Sequence, residues 1–174
     1  MLLENKTAIV YGAAGPVGSA VATAFAREGA RVVLVGRTRA RLDALADPIR
    51  AAGGDAHCAD LDVLDATAVD AHAADVAAAH GLHIAFNATA NDDVQGTPLL
   101  DMAFPDVLQP VTKALTTQYR IAAAVAPHMA AGGGGAIVCM AGGREAIPDL
   151  GGSHVAWSAL AGLCRQLEIG RAHV

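Results

Sequence analysis

Short apolar runs alternate along this chain with longer segments whose apolar positions recur every three to four residues. Thr7-Ala8-Ile9-Val10-Tyr11 is a run of the first kind and ends at a glycine, as a buried parallel strand does. Pro16 to Glu28 is of the second kind. Val17, Val21, Ala24 and Phe25 share one helical face, Pro16 suits a first helical position and Gly29 suits the end. Further strands are expected at Arg31–Val35, Ala56–Leu61, Ile84–Asn87 and Ala136–Met140. Further helices are expected at Arg39–Ala52, Ala66–His80 and Pro105–Met129, with Pro110 a kink or restart, and a last one begins near Ser153. Each connection is long enough for a parallel crossover. The pattern therefore predicts an α/β fold, a Rossmann-like doubly wound parallel sheet in three α/β/α layers.

Composition narrows the picture. The 174 residues fit one domain, and 53% hydrophobic with only 3% aromatic content means a core of Ala, Val, Leu and Ile. Nineteen glycines suit close packing of helices on a sheet. The net charge of −5, with no basic run, argues against a nucleic-acid partner. Cys58, Cys139 and Cys164 are odd in number and widely spaced, and read as reduced, mostly buried thiols. The polar start Met1–Lys6 lacks the layout of a signal peptide, and no uncharged apolar stretch is long enough to span a membrane. A cytoplasmic protein is expected.

The most informative segment is Tyr-Gly-Ala-Ala-Gly-Pro-Val-Gly, Tyr11 to Gly18, between the first strand and the first helix. There Gly12 permits a tight turn, Gly15 lets the backbone approach a pyrophosphate, and Gly18 lets the helix pack close to the sheet. The helix start would face the phosphates with its free N–H groups. A structural turn that binds nothing is the competing reading. The second strand runs into Gly36-Arg37-Thr38-Arg39, with no acid to hold ribose hydroxyls. Arg37 is suited to a 2′-phosphate instead, which favours NADP(H) over NAD(H). The alternative leaves Arg37 and Arg39 as solvated charges at a helix start.

From Asn5 to Leu167 the chain resembles the short-chain dehydrogenase/reductase family. The resemblance is carried by the glycine motif, Gly36-Arg37, Leu61-Asp62-Val63, Phe86-Asn87-Ala88 and Pro127-His128-Met129. It implies hydride transfer on a carbonyl or hydroxyl substrate, with Gly12, Gly15, Val17 and Gly18 in the phosphate loop. Asp62 and Val63 would lie by the adenine, and Asn87 and Ala88 would close the cleft. A small-molecule substrate and a homo-oligomer are implied in the same way. Tyr11 stands where the family has Thr, and Pro16 where it has the middle glycine.

The family's catalytic groups have no counterpart. Aligning Ala159–Leu163 places Ser153 at the tyrosine and Trp157 at the lysine; Ala114 falls at the asparagine, and no serine lies between Ala136 and Gly152. A lysine beside a phenol stabilises phenolate, so losing the pair removes the usual proton donor. His154, next to the lost tyrosine position, is able in principle to serve as an acid, Ser153 has no His–acid set to activate it, and a structural His154 is the plainer reading. No catalytic residue is therefore assigned. Tyr119 is expected to face the core or a partner, Arg144 and Glu145 to touch substrate or form a surface pair, and His80 and His83 to face solvent. Asp92 and Asp93 read as the end of a polar loop.

The resemblance stops at Leu167 inside a helix. Residues 168–174 resemble one reading frame of a sequencing adapter and are expected to be non-native, with 1–167 a partial NAD(P)-binding domain. The sheet would then be incomplete at its carboxyl-terminal edge, leaving the fifth strand exposed and the chain prone to associate. A catalytically silent NAD(P)-binding scaffold or sensor, or a non-functional fragment, stands as the alternative to an oxidoreductase.

Overall fold

The structure is a computed structural model that describes residues 1–143 and 145–171, without the side chains of 168–171. The expected Arg144–Glu145 pair and the identity of the tail lie outside the described residues. The chain divides into two compact units, Met1–Thr89 with Arg120–Met140, and Ala90–Tyr119 with the residues from Ala141 on.

The first unit holds strands β1 (Thr7–Tyr11), β2 (Arg31–Gly36), β3 (Asp55–Asp60), β4 (Ile84–Asn87) and β5 (Ala136–Cys139). They form one parallel sheet in the order β3-β2-β1-β4-β5. The strand order reverses between β1 and β4, the kind of switch point beside which α/β sheets bind ligands. Helices α1 (Pro16–Arg27), α2 (Arg39–Ala51) and α3 (Ala66–His80) complete the unit, together with the part of α4 (Phe104–Ala131) from Arg120 on.

The two-residue period of a strand sorts the core into two layers. Ala8, Val10, Val32, Leu34 and Phe86 pack against Ala22 and Ala26 of α1 and Leu42, Ala46 and Ile49 of α2. Ile9, Tyr11, Val33, Val35 and Ala85 face the other way, onto Val69, Ala73 and Val76 of α3 and Ile121, Val125 and Met129 of α4. Burial of each such Val, Leu or Ile contributes roughly 1.5–3 kcal/mol. The alanines set close layers. At the start of α3 the Asp65 carboxylate accepts the Ala68 N–H at 3.1 Å, and Gly81 ends the helix with φ +70°.

The second unit contains the first part of α4, the helix α5 (Ser153–Arg171) and short 3-10 turns at Leu99–Asp101 and Pro148–Leu150. Ala114, Ala156 and Leu160 form its small core, with Val111 and Leu115 packed on it. Polar bonds add to this: Lys113 pairs with Asp92, and the Gly96 N–H donates to the Asp149 carbonyl at 2.7 Å.

Helix and strand ends differ from the expected ones by one or two residues. Other expectations need correction. Pro110 does not restart α4, which runs through it with the ring buried; a proline costs one intrahelical donor, and burial of its ring offsets part of that loss. Tyr119, expected to face the core or a partner, is 60% exposed, which excludes the core and leaves the partner face as the expectation. The cysteines are half-buried, not buried, and form no disulfide among the described residues. His80 is exposed as expected, whereas His83 is half-buried. The His80 ring is engaged by Arg31, and His83 Nδ1 accepts the Thr7 N–H at 3.1 Å. No helix among the described residues is long and apolar enough to cross a membrane.

Candidate cofactor site

Every residue expected in the cofactor loop or cleft lies at or shortly beyond the carboxyl end of β1, β2, β3 or β4, within the first unit. The turn after β1 begins at Gly12 with φ +72°, which disfavours any side chain. A Cβ there would also lie 2.7 Å from the Ala88 carbonyl oxygen and 2.9 Å from the Thr89 nitrogen. The β1 and β4 loops therefore touch backbone to backbone, and the Ala88 N–H donates to the Tyr11 carbonyl at 2.9 Å. Gly18 is buried in the first turn of α1, where a Cβ would come within 2.3 Å of the Gly12 oxygen. Gly15, by contrast, has room, since its Cβ would meet only the Gly12 oxygen, at 3.3 Å. Its place as helix N-cap is what matters.

No side chain caps α1, and its first turn carries no acid. With Pro16 at the first position, the N–H groups of Val17 and Gly18 have no partner within the helix and remain for solvent or a ligand. Val17 is exposed at this end. Small-residue clearance, unpaired donors and the positive end of a helix together fit a pyrophosphate.

Three arginines follow β2 closely, and the structure sorts them. Arg39 is held by Asp43 at 2.9 Å and faces Asp60 at 3.8 Å. Arg41 donates from Nη2 to the Ala14 carbonyl at 3.2 Å. Arg37 is exposed and has no hydrogen bond or ion pair among the described residues, which leaves its guanidinium available to an anion. After β3, the exposed Asp62 turns back to accept the Leu64 N–H at 2.9 Å, while Val63 packs on the α3/α4 face of the core. After β4, the buried Asn87 carboxamide oxygen accepts from the Thr89 N–H at 3.1 Å and the Thr89 hydroxyl at 2.7 Å. That turn sets the course of the chain past Ala88, which is half-buried against the α1/α2 face.

Tyr11 cannot stand in for the missing phenol. It is fully buried, its hydroxyl has no partner among the described residues, and burial, with a smaller push from Asp70, raises its pKa far above the ordinary phenol range. It fills the core beneath the loop as a neutral group.

The positions that correspond to catalytic groups lie in the second unit. Ser153 is fully buried, and its hydroxyl donates to the Asp93 carboxylate, which also accepts from Gln95 at 2.8 Å. Burial of Asp93 opposes ionisation, but the bonds from Ser153 and Gln95 outweigh it and hold the carboxyl below its usual pKa. Trp157 lies across Gly142, where any Cβ would fall 2.2 Å from the indole. His154 stands edge-on to that indole, with ring centroids 6.3 Å apart, and its buried Nδ1 has no hydrogen-bond partner among the described residues. No set of three metal-binding side chains occurs among the described residues.

A parallel sheet with a glycine loop at its switch point is the architecture on which many dinucleotide-binding α/β proteins are built. The sequence pattern of the family described as short chain dehydrogenase matches residues 6–154, and the chain belongs to that family. It is 32% identical over 157 residues to D-threitol dehydrogenase of Mycolicibacterium smegmatis, covering 90% of this chain and 59% of that protein. It is 41% identical over 95 residues to the uncharacterized oxidoreductase YxbG of Bacillus subtilis, covering 54% and 35%. The chain thus spans between about a third and three fifths of the length of these relatives. Among solved structures, a metagenomic short-chain oxidoreductase in complex with NADP superposes with a TM-score of 0.84 at 30% identity, covering 99% of this chain and 80% of that one.

Proposed function

We propose that residues 1–167 form the NADP(H)-binding domain of a short-chain oxidoreductase acting on a carbonyl or hydroxyl compound. The observation that carries this reading is the end of β2, where Arg37 stands unpaired and no acid precedes the start of α2. A carboxylate there would accept the ribose hydroxyls of NAD(H) and repel a 2′-phosphate, whereas a guanidinium does the reverse. The NADP complex of the metagenomic relative supports the same cofactor. Gly12, Gly15, Val17 and Gly18 would hold the pyrophosphate. Asp62 and Val63 would flank the adenine, and Asn87 and Ala88 would border the cleft. When bound, the nicotinamide gives or takes the hydride; this chain's part is to orient it. The homo-oligomer and the small-molecule substrate belong to the same proposal.

A second reading, a catalytically silent cofactor-binding relative, is favoured by the second unit. There the serine at the tyrosine position is buried and bonded to Asp93. Titration with NADPH and NADH, followed by turnover over a carbonyl panel, separates the readings. Tighter NADPH binding, weakened about tenfold by Arg37→Ala while NADH is unaffected, supports the cofactor assignment. Equal affinities that ignore the substitution would refute it. NADPH binding with no turnover favours the silent reading.

A further inference from the structure

The loop that would receive the pyrophosphate is gripped from outside by a residue no family motif singled out. Arg41 lies in the first turn of α2, exposed, and its Nη2 donates to the Ala14 carbonyl at 3.2 Å, across 27 positions of sequence. The same peptide unit carries the Gly15 N–H, which donates to the Gly12 carbonyl at 3.1 Å. The Ala14–Gly15 peptide is therefore fixed at both ends, its oxygen by a guanidinium and its N–H by the turn that Gly12 opens. Rotation of that peptide would break both bonds. It would also redirect Gly15, the N-cap of α1, whose conformation of φ −80° and ψ 167° sets the aim of the helix's first N–H groups. Of the neighbouring arginines, Arg39 is occupied by Asp43, and Arg37 makes no hydrogen bond to the loop among the described residues.

We infer that Arg41 is a positioning residue for the pyrophosphate loop: by holding the Ala14 carbonyl it keeps the peptide oriented for a dinucleotide phosphate. This rests on the cofactor site proposed above. Its role differs in kind from that of Arg37. The pyrophosphate is common to both nicotinamide dinucleotides, so a residue acting through the loop must alter both affinities together. A direct ligand of the 2′-phosphate must alter one.

The test uses the 174-residue chain and its Arg41→Ala, Arg41→Lys and Arg37→Ala variants, with NADPH and NADH titrated separately. Arg41→Ala should bind both dinucleotides about five- to tenfold more weakly, the loss of one charge-assisted hydrogen bond, with their ratio unchanged. Arg41→Lys keeps a cationic donor and should recover part of both affinities. Hydrogen exchange without ligand gives an independent arm, in which the Gly15 amide should exchange faster in Arg41→Ala while core amides of β1 keep their protection. A loss confined to NADPH would make Arg41 a phosphate ligand and overturn the positioning role. Unchanged affinities for both, or unchanged Gly15 exchange, would overturn it as well. If the unaltered chain binds neither dinucleotide, the proposed function fails and this inference falls with it; if it binds and Arg41→Ala binds equally, only the inference falls.

Discussion

Beyond β1 the first unit keeps its backbone donors open, with a helix start that no side chain caps, a Gly12 with no room for a side chain and an arginine with no partner among the described residues. The second unit does the opposite at its comparable positions. Ser153 is buried and bonded, Asp92 is paired with Lys113, and Gly142 lies under an indole. The difference separates two uses of polarity. Donors left unpaired at a helix start carry a standing preference for an anion, whereas a hydroxyl and a carboxylate that satisfy each other stabilise a fold and have little left for a substrate.

The most severe way to break this comparison is to close the open site. Gly12→Ala forces a Cβ into the Ala88 carbonyl at a positive φ. It should cost about 3 kcal/mol or more in urea unfolding and abolish measurable NADPH binding. Retained binding with unchanged stability would show that the β1 and β4 loops do not meet as described. Opening the closed site should be milder. Ser153→Ala leaves the half-buried Asp93 with Gln95 alone, a loss of about 1–3 kcal/mol by chemical denaturation, with NADPH affinity unchanged. A large fall in affinity would mean that Ser153 serves the cofactor after all.

A third experiment uses pH to load one face of the first unit. On α3, burial lowers the His72 pKa, only partly opposed by Asp75, and Nδ1 has no partner among the described residues. The folded state therefore prefers neutral His72, while the unfolded chain takes up its proton near pH 6.5. Stability should be full above that pH and decline as pH falls from 6.5 toward the depressed folded value. The neighbouring His83 acts in the same direction, through burial and then Lys6. Asp55 and Asp93 are both held below the usual carboxylate range, so their contributions are lost only in more acidic solution. Thermal melts from pH 7.5 to 5 should show a slope that His72→Gln reduces; an equal slope in the variant rejects the assignment. The smallest effect is expected at the sheet edge. Val138 of β5 is 43% exposed there, and Val138→Lys should reduce self-association in light scattering while shifting stability by no more than about 0.5 kcal/mol.

Strands and helices were legible because their periods are local. β1 and β2 are continuous apolar runs, and the alanine-rich helices repeat at 3.6 residues. The cofactor loop was legible for the same reason, its glycines being neighbours in sequence. Contacts across long separations left no trace. Nothing in the order of residues marks Arg41 as a partner of Ala14, or Ser153 of Asp93, because each depends on where a side chain reaches after folding. Pro110 misled for a related reason: local propensity marks a break, and packing of its buried ring decides otherwise.

The indole lying across Gly142 has a use of its own. The chain contains a single tryptophan, so its emission comes entirely from the second unit. The buried ring of Tyr11 belongs to the first, beneath the glycine loop. Two spectroscopic channels, tryptophan emission for one unit and the ¹⁹F NMR signal of a fluorotyrosine placed at position 11 for the other, can thus be followed through the same unfolding transition. Coincident transitions would mean that the halves melt as one cooperative body, and separated ones that each carries its own stability.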